Sequence, residues 1–162
     1  MTTTPSIRSA TMDDFGAVGR LLREVDEHHV HLRPDVFQPF DDPKAMRLRI
    51  AGFIENENAE MIVAEVESAI VGLATVQIHD HPDAPMFRPG RRAIMSDLVV
   101  DPKSRRSGLG KTLLAVVVAW SRARGFESLG LNIWNANEEG LDFFTANGFL
   151  PRCQQMDLKI DS

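Results

Sequence analysis

A chain of 162 residues, 43% hydrophobic and 25% charged, has the material for one domain with a hydrophobic core and too little for two. A formal net charge of −5 argues against a nucleic-acid partner, and a single cysteine, Cys153, excludes a disulfide framework and a cysteine-only metal site and fits a reducing compartment. The opening MTTTPSIRSATMDD lacks a basic-then-apolar leader, and the longest apolar run, residues 113–120, is far too short for a membrane span. The expectation is a cytoplasmic protein without membrane contact, a single domain over residues 1–162.

In chain order, residues 6–10 form a candidate strand. Thr11 with Asp14 three residues on signals a helix start, and Phe15, Val18, Leu22 and Val25 follow at helical spacing. Residues 28–43, with Pro34, Pro39 and Pro43, read as irregular, and a second helix is expected over 43–57 with Pro43 in its first turn. The period then changes. Residues 61–66 and 70–78 are rich in Val, Ile and Thr, with Glu67-Ser68-Ala69 as the turn between them. A loop with Pro82, Pro85, Pro89 and Gly90 leads to residues 94–100, IMSDLVV, apolar on both faces apart from Ser96 and Asp97, as in a central strand.

A helix is expected over 108–124, with Leu109, Leu113, Val116, Val117 and Trp120 as its apolar face and Gly125 as its stop. Residues 129–134 read as a strand, 137–147 as a short helix ended by Gly148, and 155–160 as a last strand. The order β-α-α-β-β-β-α-β-α-β implies a mixed α/β (α+β) sheet domain.

Charge is unevenly spread. Nine of the 18 basic residues, Arg88, Arg91, Arg92, Lys103, Arg105, Arg106, Lys111, Arg122 and Arg124, lie in one stretch whose acids are Asp97 and Asp101. Arg122 and Arg124 read as solvated helix charges; the others point to a bound anion. RRSGLGKTLL, residues 105–114, sits at the centre. Its Gly-Lys-Thr suggests an ATP-binding P-loop, but the first glycine of that motif falls on Arg105, and four residues separate it from the end of the strand. The strand at 129–134 is followed by Asn135 where a magnesium-binding aspartate would be wanted. A glycine-containing turn opening a helix still makes an anion site, because the helix N-terminus presents unpaired N–H groups.

Val100-Asp101-Pro102 followed by Arg105-Arg106-Ser107-Gly108-Leu109-Gly110 resembles the Arg/Gln-x-x-Gly-x-Gly/Ala motif of the GNAT superfamily of N-acetyltransferases. Asn137 to Phe149, NEEGLDFFTANGF, resembles that family's Asn-x-x-Ala-x-x-Leu/Phe-Tyr-x-x-x-Gly-Phe signature. HHVHLRPDVFQPF, residues 28–40, is similar to one group of its small-molecule enzymes.

The resemblance implies a mostly antiparallel central sheet flanked by helices, and acetyl-CoA held between the strands at 94–100 and 129–134. Backbone groups of Leu98, Val99 and Val100 would hold the pantetheine arm, with the N–H of Val99 or a neighbour as oxyanion donor. The loop at Arg105, Arg106, Ser107, Gly108, Leu109, Gly110 and Lys111 would take the pyrophosphate, and Asn132, Asn137 and Phe144 would flank the cofactor. The acceptor would be a small-molecule primary amine that attacks the thioester directly in a ternary complex, and a homodimer is a candidate assembly.

The chain departs from the family at two positions. The family's tyrosine acid corresponds to Phe144, in a chain without tyrosine, and the Glu-Asp pair of many relatives reads Ser96-Asp97. Asp97 is the candidate base, acting through a water; alternatively it pairs with Arg91 or Arg92. The five histidines fall in two clusters. They read first as hydrogen-bonded loop residues and second, at His28, His31, His79 and His81, as acceptor contacts; neither cluster has metal-ligand spacing, so no metal is expected. Cys153 reads as a buried small side chain. The alternative function is a weak or inactive acyl-CoA-binding regulatory domain.

Overall fold

The computed structural model describes residues 4–160, and its chain divides into two compact units, Met1–Asn132 and Ile133–Ser162. The first unit holds a five-stranded sheet of order β1-β2-β3-β4-β5: β1 (Ser6–Ser9), β2 (Ala59–Val66), β3 (Ala69–Asp80), β4 (Arg91–Val100) and β5 (Leu129–Leu131). All neighbours run antiparallel except β4 and β5, which are parallel. This is the mixed, mostly antiparallel α/β sheet expected. Between β2 and β3 the turn is Glu67-Ser68, both at positive φ (51° and 65°), the primed geometry whose twist suits a two-residue hairpin.

Helix α1 (Phe15–Leu32) follows a single 3-10 turn, at whose start the Thr11 N–H donates to the Asp14 carboxylate at 2.8 Å. It runs through His28, His29 and His31, which the sequence had suggested were irregular. The first proline is Pro34, and it excludes helix only from about the preceding residue; Arg33 leaves the helix at φ −140°. Helix α2 (Pro43–Ile54) is capped by the Asp42 side chain, which accepts from the N–H groups of Lys44 and Ala45.

Val18, Leu21 and Leu22 of α1 and Met46 and Ile50 of α2 are buried with Met61, Val63, Leu73 and Val99 of the sheet. Each such side chain contributes about 1.5–3 kcal/mol on leaving water. The other sheet face receives α3 (Leu109–Ala123): a Cβ on Gly72 would lie 3.0 Å from Leu113 and 3.3 Å from Leu109. At the C-terminal end of α3 the Arg124 guanidinium, expected to be merely solvated, lies 3.8 Å over the Trp120 ring.

One irregularity organises the sheet. Thr75 of β3 opposes Asp97, but the next residue, Val76, opposes Met95, so Ser96 is an extra residue bulging from β4. Thr75 and Val76 point to opposite faces, so their partners do too. Asp97 and Val99 therefore share the α1–α2 face with Leu73, while Met95 lies on the α3 face.

In the second unit α4 (Glu138–Ala146) is capped by Asn137, whose side-chain oxygen accepts from the Gly140 N–H at 3.0 Å. Gly148, at φ 89°, follows its end. The strand expected at 155–160 is absent: residues 151–160 have no regular structure, and Met156, Leu158 and Ile160 are 83–88% exposed. Alternation invites a strand, but no neighbour bonds this one. Cys153, expected to be buried, is exposed with it.

Candidate functional site

The β4–β5 pairing is short. It joins Ala93, Ile94 and Met95 to Leu129, Gly130 and Leu131 and stops there, while β4 continues five residues to Val100. Among the described residues, the edge of β4 from Ser96 onward thus has backbone groups with no strand on that side. Which groups face the opening follows from the β3 ladder. Asp101 N–H donates to Val71 O at 2.8 Å, and backbone direction alternates along an antiparallel strand, so Val99 points its N–H and C=O at β3. Leu98 and Val100 point theirs the other way. Of the backbones expected to meet a cofactor at Leu98, Val99 and Val100, those of Leu98 and Val100 face the opening and that of Val99 faces β3. Asn132, next after β5, is exposed.

Where β4 ends, Asp101 accepts from the Lys103 N–H at 3.0 Å and opens a turn at Pro102–Ser104. That N–H first, and the Arg20 guanidinium after desolvation, act on the Asp101 carboxyl, whose pKa is lowered overall. Arg20, from α1, spans Asp101 at 2.9 Å, Glu24 at 3.0 Å and the Ile70 carbonyl at 3.0 Å, and so ties the loop to the body of the fold.

Beyond the turn, Arg105 Nε donates to Val100 O at 3.1 Å and Ser107 Oγ to Ser104 O at 2.7 Å. Arg106 and Gly108 have positive φ, 58° and 85°. No atom lies within 4 Å of a Cβ placed on Gly108, so its glycine is explained by backbone conformation and not by crowding. The first helical bond of α3 joins Thr112 N–H to Gly108 O, leaving the amides of Leu109, Gly110 and Lys111 without a helical acceptor. Arg105, Arg106 and Lys111 are all exposed around these amides. The arrangement presents free N–H groups, a helix N-terminus and three cations to one anion.

The α1–α2 face carries a second group of residues. Asp97 is 8% exposed and both its oxygens are engaged: Oδ2 accepts from Thr75 Oγ1 at 2.7 Å and Oδ1 from Arg49 Nη2 at 3.1 Å. Thr75 Oγ1 also accepts from the Asp97 N–H at 3.0 Å. The arginine partner is therefore Arg49 of α2 and neither Arg91 nor Arg92, which lie farther down β4 opposite Asp80 and His79. Arg49 Nη1 reaches both oxygens of Asp26 in α1, at 3.0 and 3.1 Å.

His29, one turn after Asp26, stacks on Phe37 with ring centroids 5.1 Å apart. Burial holds the His29 imidazole below its ordinary 6.5; His28 and Arg49 push the same way, while Asp26 and Asp97 oppose. His28 and His31 are exposed on the same last turns of α1, and His79 is exposed at the end of β3. His81 Nδ1 lies 2.9 Å from the Arg88 carbonyl and closes its own loop.

Asp26, Arg49 and Thr75 were not singled out by the sequence, and His29 only as a member of the first histidine cluster. They come from two helices and one strand, and only Asp26 and His29, one turn apart, are linked by spacing. In the second unit the Phe144 ring meets Phe143 and Phe149 edge-on, at 5.2 and 5.3 Å.

The acetyltransferase (GNAT) family model matches residues 23–149. The chain is 36% identical over 93 residues to glucosamine 6-phosphate N-acetyltransferase of Trypanosoma brucei brucei, a match spanning 56% of this chain and 58% of that one. It is 28% identical over 126 residues to aminoglycoside N(6')-acetyltransferase type 1 of Stenotrophomonas maltophilia, covering 77% and 72% of the two. Among solved structures, a mutant BH1408 protein from Bacillus halodurans matches with a TM-score of 0.86 at 25% identity, over 96% of this chain and 99% of that one. The aminoglycoside N-acetyltransferase AAC(6')-Iy in complex with CoA matches at 0.79 over 100% and 98%, with 15% identity, a likeness of fold.

Proposed function

Because the chain belongs to the acetyltransferase (GNAT) family, we propose that it moves an acetyl group from acetyl-CoA to a primary amine of a small molecule, by direct attack in a ternary complex. The observation that carries this reading is the open edge of β4, running into a loop of free amides at the N-terminus of α3. Amides and cations of Arg105 to Lys111 suit a pyrophosphate, and the Leu98 and Val100 backbones suit the amide groups of a pantetheine arm. Acetyl-CoA would supply the activated thioester; the chain's residues orient the acceptor and move its protons.

The acceptor must lose one proton to attack, and a second as the new carbon–nitrogen bond forms and the carbon–sulfur bond breaks. One of these ends on the departing sulfur. Asp97 was the sequence's candidate base, but a carboxylate held by Arg49 and Thr75 serves better as a fixed anchor. His29, kept neutral by burial, retains a free lone pair near neutrality and is the base in this reading. With phenylalanine at 144, the sulfur takes its proton from water or from the acceptor's ammonium.

A second reading, a CoA-binding regulatory domain with little or no turnover, is favoured by the all-carbon packing of Phe144 against Phe143 and Phe149. The experiment is calorimetric titration with acetyl-CoA, followed by a thiol-release screen over amino acids, polyamines, aminoglycosides and peptide N-termini. Binding with release supports transfer, binding without release supports the regulator, and no binding overturns both.

A further inference from the structure

On the α1–α2 face lies a cavity of about 300 Å³, at the small end of the range for ligand sites. Its walls include Asp26 and Val30 of α1, Phe37 and Phe40 of the connection, and Ala45 and Arg49 of α2. Arg49 is shared between Asp26 and Asp97, so one guanidinium answers two carboxylates and the group carries a formal charge of about −1. His29, which stacks on the lining Phe37, adds no positive charge near neutrality because burial favours its neutral form; His28, Asp26, Asp97 and Arg49 are the charged or titratable groups acting on it. Phe40 is 44% exposed, an aromatic side chain left in water at the cavity.

A ligand's phosphate would find here a guanidinium already satisfied twice. A cation would find excess carboxylate, and an apolar ring would find two phenylalanines and a valine. The floor also reaches the proposed transfer point, since Arg49 bonds Asp97 and the next residue, Leu98, faces the open edge of β4.

We propose that this cavity binds the acceptor, and that the acceptor is a monocationic amine with a single apolar or aromatic ring, not a phosphorylated amino sugar. The proposal rests on the acetyl-transfer reading above for its chemistry, and on charge and lining for its specificity.

Phenethylamine and glucosamine 6-phosphate are the probes. In thiol-release assays phenethylamine is expected to show kcat/KM at least ~10-fold above glucosamine 6-phosphate. Asp26→Asn, which cancels the net charge, should raise the KM for phenethylamine ~10-fold and leave the KM for acetyl-CoA within about twofold. Phe40→Ala, at an exposed position that the fold does not need, should weaken phenethylamine alone.

The same amines are titrated calorimetrically into CoA-saturated protein. If no amine releases thiol but phenethylamine binds and Asp26→Asn weakens it, the transfer reading falls and the pocket proposal stands. Preference for glucosamine 6-phosphate, in turnover or in binding, overturns the proposal and leaves the transfer reading intact. So does indifference of phenethylamine to both substitutions.

Discussion

The two halves of the candidate site are built from different materials. The side proposed for the cofactor, from Leu98 to Lys111, is backbone: an unpaired strand edge, two residues at positive φ and the first amides of α3. The side proposed for the acceptor is side chains: Asp26, His29, Arg49, Thr75 and Asp97, drawn from two helices and two strands. A backbone site needs only conformations, which glycines at fixed spacing encode. A side-chain site needs distant residues brought together by the whole fold. The first is expected to be rigid in its ligand, and the second is where specificity is set.

Substitutions should separate the halves, and the largest effect belongs to the acceptor side. Replacing the proposed base, His29→Gln, should lower kcat by ~100-fold with acetyl-CoA binding unchanged, the ordinary worth of a general base. In the native protein kcat/KM should fall on the acid side with an apparent pKa below 6.5, and this limb should vanish in the variant. The stability sign follows from the same burial. The folded state holds the imidazole neutral, so it binds fewer protons than the unfolded chain, and stability present above 6.5 is lost as pH falls below it. A limb that survives His29→Gln would return the base to Asp97.

Next comes the cofactor side. Gly108→Val forces a β-branched residue to a φ of 85° and should cost about 2 kcal/mol in the binding conformation, a ~30-fold weaker Kd for acetyl-CoA by calorimetry. Unchanged affinity would break the assignment of the loop.

Arg49→Met tests whether the acceptor side is held by charge. It strips Asp97 of its cation, and because the guanidinium is 32% exposed the loss is discounted to about 1.5 kcal/mol, a fall of ~3–6 °C in Tm. Adding Asp97→Asn should recover part of it. The smallest effect joins the two halves: Arg20→Ala unties Asp101 from α1 and should raise the KM for acetyl-CoA ~5-fold, about 1 kcal/mol, with kcat unaltered.

The same division decides what could be read in advance. Arg105, Gly108 and Gly110 suggested a turn opening a helix, and Gly108 takes the positive φ that glycine favours at the start of α3. The helix over 108–124 was legible from its period, and the strand at 94–100 from a short run apolar on both faces. The Arg49–Asp97 pair was not, because 48 residues separate its members and Arg91 and Arg92 offered nearer partners. The helical state of His28 to Leu32 was hidden by prolines that begin only at Pro34. The strand expected at 155–160 failed the other way: Met156, Leu158 and Ile160 alternate, but pairing is a property of a neighbour and not of the segment itself.

The bulge at Ser96 acts as a phase shift in the strand. Straighten the strand there, so that Ser96 takes its place in the ladder, and every side chain beyond it changes sides: Asp97 would turn under α3, away from Arg49, and the amide facing the opening would be Val99's and no longer Leu98's. Both halves of the site thus share a single registration mark, and it is a matter of counting, not of chemistry. The Ser96 side chain is exposed and accepts from the Gln77 side-chain amide at a long 3.3 Å, so its identity is free to drift. Among relatives, position 96 should tolerate substitution as long as the bulge persists, a pattern of constraint in which a backbone conformation is kept while the residue is not.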